Sequence, residues 1–192
     1  MTASNEASLI REIRLGNSKA FAQLVDEYKY LVYTLAFRMI KDREEAEEVS
    51  QDAFVKVYRS IDSFKGDCKI STWIYRITYN TCLDKIGQNN KNRTFVNLED
   101  QANVSVANVD NALDQLIAEE RGQVIKKCLG RLPSKDTALL TLFYLEEKNL
   151  QEIEEILDVS VDVLKVRLFR ARKKLATIFE SRLIKEKLQD YG

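Results

Sequence analysis

Val159-Ser-Val-Asp-Val-Leu-Lys-Val-Arg-Leu-Phe-Arg-Ala-Arg-Lys-Lys-Leu175 is the stretch on which the reading of this chain turns. Leu164, Leu168, Ala171 and Leu175 recur at helical spacing and make one apolar stripe suited to packing on a domain. At about 100° per residue, the opposite face is centred on Asp162, Val166, Phe169 and Lys173. Lys165, Arg167, Arg170, Arg172 and Lys174 flank it. Just upstream, Asn149 to Leu157 reads as a shorter helix, with Asp158-Val159-Ser160 as a tight connection. Short helix, turn and basic helix form a helix-turn-helix, whose second helix enters a DNA major groove. A surface helix near a C-terminus is often rich in Lys and Arg merely because it is solvated. The helix and turn ahead of this one weigh against that reading.

Composition sets the frame. A length of 192 residues permits one ordinary domain or two small ones joined by a linker, and an apolar fraction of 45% is enough for folded cores. One proline and six glycines leave little to break helices, so the fold class expected is all-α. The formal net charge is zero, which argues against a protein that coats nucleic acid indiscriminately. Charge is nevertheless segregated: Asp42 to Asp52 and Glu146 to Asp158 are acidic, whereas Lys165 to Lys187 is basic. Histidine is absent, removing the commonest general base and transition-metal ligand. Cys68, Cys82 and Cys128 match no metal or redox spacing and read as reduced thiols of a cytosolic protein. Met1 to Ile10 has no apolar core of signal-peptide length. No apolar run approaches the roughly 18 residues of a membrane span. A cytoplasmic location is expected.

From Ser18, a candidate N-cap, Phe21, Leu24, Val25, Tyr28, Leu31, Val32 and Leu35 trace one wide face of a long helix. A second helix runs from about Arg43 to Ile61, carrying Ala46, Val49, Ala53 and Val57 inward. Ser63 to Asp67 reads as a loop. A third helix begins near Ser71 with Ile74, Ile77 and Thr81 inward, closing a first domain near Ile86. Gly87 to Arg93 is loop-like, and no helical periodicity follows through Val109, which suits a flexible linker. Helical pattern resumes at about Asp110. Glu120 to Leu132, Ser134 to Leu145 and the helix-turn-helix then make a second domain, with Pro133 placed to start a helix.

Two clusters carry candidate chemistry. Phe64, Trp73, Tyr75 and Tyr79 stand among Lys65, Lys69, Arg76 and Lys85, a mixture suited to unstacked bases and a phosphate backbone because every base offers a π-face. Tyr75, Tyr79 and Cys82 point away from the apolar stripe. Aromatics at helical spacing are also the ordinary stuff of cores. The second cluster, Glu44-Glu45-Ala46-Glu47-Glu48, has the spacing with which helical nucleotide pyrophosphohydrolases hold magnesium. Such a site needs a second carboxylate pair on the next helix, which here offers Arg76, Asn80 and the single carboxylate of Asp84. A solvated acidic face, or one docking on a basic partner, is the simpler reading.

These residues match a known pattern. The chain resembles a bacterial extracytoplasmic-function sigma factor of the sigma-70 class, a subunit of RNA polymerase. Asp42 to Phe54 is similar to that family's helix docking on the polymerase clamp. Phe64-Lys65-Gly66-Asp67 with Ser71 to Ile77 and Asn80 is similar to its promoter-melting segment. Arg131-Leu132-Pro133, Glu152-Ile153 and Lys165 to Arg172 resemble its second DNA-reading domain. The resemblance implies region two over 1–90, a linker over 91–118 and region four over 119–192. Glu45, Glu48, Gln51, Asp52 and Phe54 would meet core polymerase. Phe64, Lys65, Lys69, Thr72, Trp73, Tyr75, Arg76 and Asn80 would take the minus-ten element as single strand, a base flipping into a pocket. Lys165, Val166, Arg167, Phe169, Arg170, Arg172 and Lys173 would meet the duplex minus-thirty-five element, Val166 and Phe169 on thymine methyls and Lys165 or Arg170 on guanine. Arg167, Arg172 and Lys173 would hold phosphates.

It also implies the partners: core polymerase through its beta-prime clamp and beta flap, promoter DNA, and an anti-sigma protein, membrane-anchored in many cases. No cofactor, metal, small-molecule substrate or catalytic residue is expected. The chain departs from the family pattern at Glu154, where alanine is usual, at Asp158, where glycine is usual, and at Val163 and Val166, which replace small hydroxyl residues. Two other readings stand beside this one. One is a helix-turn-helix repressor or activator binding duplex DNA alone; the other is a magnesium pyrophosphohydrolase depending on Glu44 and Glu48.

Overall fold

Side-chain caps start three of the helices in the computed structural model, which describes residues 3–92, 125 and 128–189. Helix α1 spans Ala3–Arg14, α2 Ser18–Ile40, α3 Arg43–Ser60 and α4 Ile70–Asn92. In the second domain α5 spans Ser134–Leu140 and widens into a π-turn at Thr141–Leu145, α6 spans Leu150–Leu157, and α7 spans Val161–Gln189. No strand occurs among the described residues. The cap of α2 is Asn17 rather than Ser18: its side-chain oxygen accepts from the N–H groups of Lys19 (3.0 Å) and Ala20 (3.3 Å). Asn caps at least as well as Ser, and Gly16, at φ 82°, makes the turn that delivers it. Asp42 caps α3 by accepting from Glu45 N–H at 2.9 Å. Asn149 and Glu152 form a reciprocal capping box on α6.

Helix α1 was not expected from periodicity. It buries Leu9, Ile10 and Ile13 over the end of the first domain, beside Leu24, Tyr28 and Val32 of α2, Ala53 and Val57 of α3, and Ile70 and Ile74 of α4. Residues 87–92, expected as loop, instead continue α4. Gly and Asn are weak helix formers, but the end of α4 is pinned to α3. Asn89 Nδ2 donates to both carboxylate oxygens of Glu45 (3.0 Å each), Lys85 pairs with Glu48, and Lys56 pairs with Asp84 at 2.9 Å. The rest of the expected linker, and most of the pattern between Asp110 and Leu132, lies outside the described residues.

A second apolar cluster spans both domains. It joins Leu35, Ala36 and Met39 of α2, Ala46 and Val49 of α3, and Tyr75, Tyr79 and Cys82 of α4 to Leu139, Leu140, Ile153, Ile156, Leu164 and Leu168. Helix α4 is therefore amphipathic twice. Ile70, Ile74 and Thr78 face the first domain, and the Tyr75–Tyr79–Cys82 edge, expected to face outward, is covered by the second domain. Helix α6 lies along α4, and α5 along α2.

Candidate nucleic-acid interface

Three surfaces carry the expected binding residues. The first is the turn from α3 into α4. Ile61–Ser63 forms a short 3-10 turn, and Gly66, at φ 82°, adopts a backbone conformation that side chains strain. Arg14 of α1 donates to Ile61 O (3.2 Å through Nη2) and to Phe64 O, tying down the carbonyls of this turn. Sequence reasoning missed Arg14, because nothing local marks a contact made across 47 and 50 positions of chain. The Phe64 and Trp73 rings lie 5.2 Å apart, tilted by 51°. With Lys65, Thr72 and Arg76 they line a cavity of about 360 Å³ that also takes in Asp67, Cys68 and Glu155. The Thr72 hydroxyl, on a residue 2% exposed, is buried there without a hydrogen-bond partner. Aromatic walls, two cations and an unused hydroxyl can hold a planar heterocycle with a polar edge beside a phosphate.

Five of the eight expected minus-ten residues thus line one cavity. Lys69 lines the adjoining groove, where its ammonium pairs with Glu152 at 2.8 Å. Asn80 is exposed further along α4 and lines neither. Tyr75 is 1% exposed and faces the second domain, donating its hydroxyl proton to Glu146 Oε2 at 2.6 Å beneath the Lys148 ammonium. Burial, then Glu146, hold that hydroxyl's pKa far above the usual phenol range.

The second surface is the acidic side of α3. Gln51 and Asp52 are exposed, and Phe54 is half-buried against the first core, with Val55 and Tyr58 open to solvent beside it. Glu45 and Glu48 are engaged by Asn89 and Lys85. Among the described residues, no group of three or more His, Cys, Asp and Glu converges as a metal site would need.

The third surface is α7. Leu164, Leu168, Ala171 and Leu175 are buried, as the apolar stripe predicts. Lys165, Arg167 and Arg170 are exposed, as are Val163 (44%) and Val166 (49%), while Phe169 and Lys173 are half-buried. Arg172 lies over the rings of Phe143 and Tyr144, 5.8 and 5.3 Å from their centroids, which draws it toward the domain's own aromatics. The turn ahead of α7 is made by Asp158 in the left-handed region (φ 55°), its N–H donating to Glu154 O at 2.9 Å. Lys174 and Asp136 pair at 2.8 Å and fix α7 to α5.

Together these features define a two-domain helical protein with a cavity of aromatics and cations on one domain and an exposed basic helix on the other. Residues 24–92 match Sigma-70 region 2, and residues 122–175 match Sigma-70, region 4. The chain is 34% identical over 172 residues to the ECF RNA polymerase sigma factor SigW of Bacillus subtilis, covering 86% of this chain and 92% of that one. It is 31% identical over 177 residues to the ECF RNA polymerase sigma-E factor of Haemophilus influenzae, covering 88% and 93%. Among solved structures, CnrH in complex with the cytosolic domain of CnrY shares the fold, with a TM-score of 0.63 at 22% identity over 90% of this chain and 96% of that one. RpoE of Bartonella quintana in complex with the anti-sigma factor NepR shares it with a TM-score of 0.61 at 21% identity, over 84% and 98%. The chain belongs to the sigma-70 family, as an extracytoplasmic-function sigma factor of RNA polymerase. Its work is transcription initiation: it brings core polymerase to promoter DNA. No helix among the described residues is long and apolar enough to cross a membrane.

Proposed function

We propose that the chain divides its work between a first domain over 1–90 and a second over 119–192, with 91–118 linking them. In the first, Gln51, Asp52 and Phe54, with Glu45 and Glu48 beside them, dock on the polymerase clamp. Phe64, Lys65, Thr72, Trp73 and Arg76 receive a flipped base of the minus-ten strand and its phosphates, with Lys69 and Asn80 further along that strand's path; Tyr75 joins them only on leaving Glu146 and the second domain. In the second, Val166 and Phe169 meet thymine methyls in the minus-thirty-five groove, Lys165 and Arg170 reach guanine edges, and Arg167 and Lys173 hold phosphates. Arg172 joins them only on leaving the rings of Phe143 and Tyr144. The bond-making chemistry belongs to the polymerase; this chain supplies binding and strand capture, in the cytoplasm, with no cofactor. RpoE was solved in complex with the anti-sigma factor NepR, and CnrH with the cytosolic domain of CnrY, which supports an anti-sigma partner for this chain also. The observation that carries the reading is the cavity at Phe64–Arg76, with its paired aromatic rings, cations and unpartnered Thr72 hydroxyl.

Transcription in vitro with core polymerase and fragmented genomic DNA tests it. New starts that require the chain are expected, falling at least tenfold with Trp73→Ala or Arg170→Ala. Undiminished starts with Trp73→Ala would overturn the assignment of the cavity. A footprint made by the chain without polymerase would favour the repressor instead.

A further inference from the structure

Helix α1 does more than close the first core. Its last residue, Arg14, reaches across the fold to the turn that opens the candidate DNA cavity. Nη2 donates to Ile61 O at 3.2 Å and also to Phe64 O, Nε donates to Ile61 O at 3.4 Å, and Asp62 stands 4.0 Å from Nε. Ile61 O accepts from Phe64 N–H as well, at 3.2 Å, so the guanidinium bridges the first and last carbonyls of a turn that one backbone bond closes from inside. No side chain caps the start of that turn. Phe64 O belongs to the peptide group joining Phe64 to Lys65, so holding that oxygen fixes ψ of Phe64 and the direction in which Lys65 leaves. The Phe64 ring is held from the other side: 8% exposed, it shares a core with Ile10 and Ile13 of α1 and lies 5.2 Å from the Trp73 ring. Glu6, Ala7 and Ile10 line the groove beside the cavity. The residues matched to Sigma-70 region 2 begin at residue 24, beyond the end of α1.

We propose that Arg14 is a positioning residue for strand capture, holding the Ile61–Phe64 turn in the shape that presents Phe64 and Lys65 to a flipped minus-ten base. Its role rests on the assignment of the cavity to promoter DNA made above. A planar guanidinium offers donors in a fixed fork, which suits two carbonyls at the ends of one turn; a lysine ammonium is a single point. Hydrogen bonds from a charged donor are about twice as strong as neutral ones. A turn held before the strand arrives leaves less chain to order on binding, whereas a loosened turn must be ordered by the strand itself. The Arg14 side chain is 40% exposed, which puts the loss on removing its fork at the lower end for charged hydrogen bonds, about tenfold in strand affinity.

The test uses the full chain bound to core polymerase and a labelled non-template strand of the minus-ten element. Abasic sites placed one at a time along the strand report what each base contributes to binding. At the captured base the parent should lose about tenfold, the worth of one stacked base, and Trp73→Ala should erase that loss. Arg14→Met keeps the stem and removes the fork. It should bind the intact strand about tenfold more weakly than the parent and lose little more at the same abasic site. Arg11→Met removes the same charge from an exposed position of the same helix and should behave as the parent. Should Arg14→Met fail to bind core polymerase, Arg14→Lys, which keeps the charge without the planar fork, takes its place in the same measurements. General damage to the fold would weaken binding to every strand equally and leave the abasic loss at full size; that result would overturn the proposal. So would an equal effect of Arg11→Met. If Trp73→Ala leaves every abasic loss intact, the cavity captures no base, and the assignment falls together with the role of Arg14. If Trp73→Ala erases the loss and the Arg14 variant does not, the assignment stands and only the positioning role falls.

Discussion

Replacing Tyr75 by Phe removes one oxygen atom from the contact between the two domains and leaves the buried ring in place. The hydroxyl donates to the Glu146 carboxylate at 2.6 Å, within the range of charge-assisted O–H···O⁻ bonds, from a residue 1% exposed. Hydrogen bonds to charged groups contribute about 1.5–3 kcal/mol. Glu146 keeps an electrostatic partner in Arg38 after the change, so the lower part of that range applies, about 1.5–2 kcal/mol. For a chain of this size each kcal/mol moves the melting midpoint by about 2–4 °C, giving a fall of about 3–8 °C. Trp73 is the single tryptophan of the chain and sits on the same helix, so its fluorescence during urea unfolding is a suitable probe. A double-mutant cycle with Glu146→Gln isolates the pair and should return a coupling of about 1 kcal/mol or more. Tyr30→Phe, at a tyrosine 75% exposed, provides the control and should change stability by less than about 0.5 kcal/mol. If Tyr75→Phe behaves like Tyr30→Phe, with no measurable coupling to Glu146, the hydroxyl is in water and the two domains are not docked in solution.

Three further outcomes follow from other parts of the structure. Replacing single thymines by deoxyuridine in the minus-thirty-five duplex should weaken binding about fourfold at a base whose methyl meets Val166 or Phe169, from the roughly 0.8 kcal/mol of one buried methyl group. The effect should vanish in the matching Val166→Ala or Phe169→Ala variant; an equal loss in variant and parent would remove these side chains from base reading. Asp158, at φ 55°, holds a conformation that costs a residue with a Cβ about 1–2 kcal/mol. Asp158→Gly should therefore raise the melting midpoint and Asp158→Ala should not, as read by thermal denaturation. Burial pushes the Cys82 thiol up to about 12. The folded state keeps its proton where the unfolded chain loses it, so stability is full below about pH 9 and declines above it. A thiol reagent at pH 8 should label half-buried Cys68 in the native chain and reach buried Cys82 and Cys128 only on unfolding or opening. Rapid native labelling of all three would contradict the burial.

Much was legible in one dimension because helices write their faces at a fixed period. The buried stripe Leu164–Leu168–Ala171–Leu175, the turn at Asp158 and the long face from Leu24 to Leu35 follow from spacing alone. So does the existence of a cation-and-aromatic segment between Phe64 and Arg76. Local chemistry decided these, and tertiary packing kept them. What periodicity could not supply is which faces find a partner. Among its described side chains, helix α1 carries three buried apolar residues, and it becomes visible through the core it closes. The end of α4 is helical because α3 offers Glu45 and Glu48 to Asn89 and Lys85, overriding weak local propensity. Arg14 finds the carbonyls of Ile61 and Phe64 across the fold, and Arg172 finds two aromatic rings of its own domain.

The Tyr75–Tyr79–Cys82 edge marks the boundary between the two kinds of information. Its period places it on one side of α4, opposite the first core. Whether that side meets water, DNA or protein depends on residues such as Glu146, 71 positions away, and Glu152, which meets neighbouring Lys69 from 83 positions away. The sequence by itself determined the helices, their inward stripes and the class of partner their cations and aromatics suit, because each of those depends on residues within a few turns of one another. Only the tertiary structure decided that the second domain covers the Tyr75–Tyr79–Cys82 edge of α4 and sets carboxylates against Lys69 and Tyr75, because that contact joins residues no local rule relates.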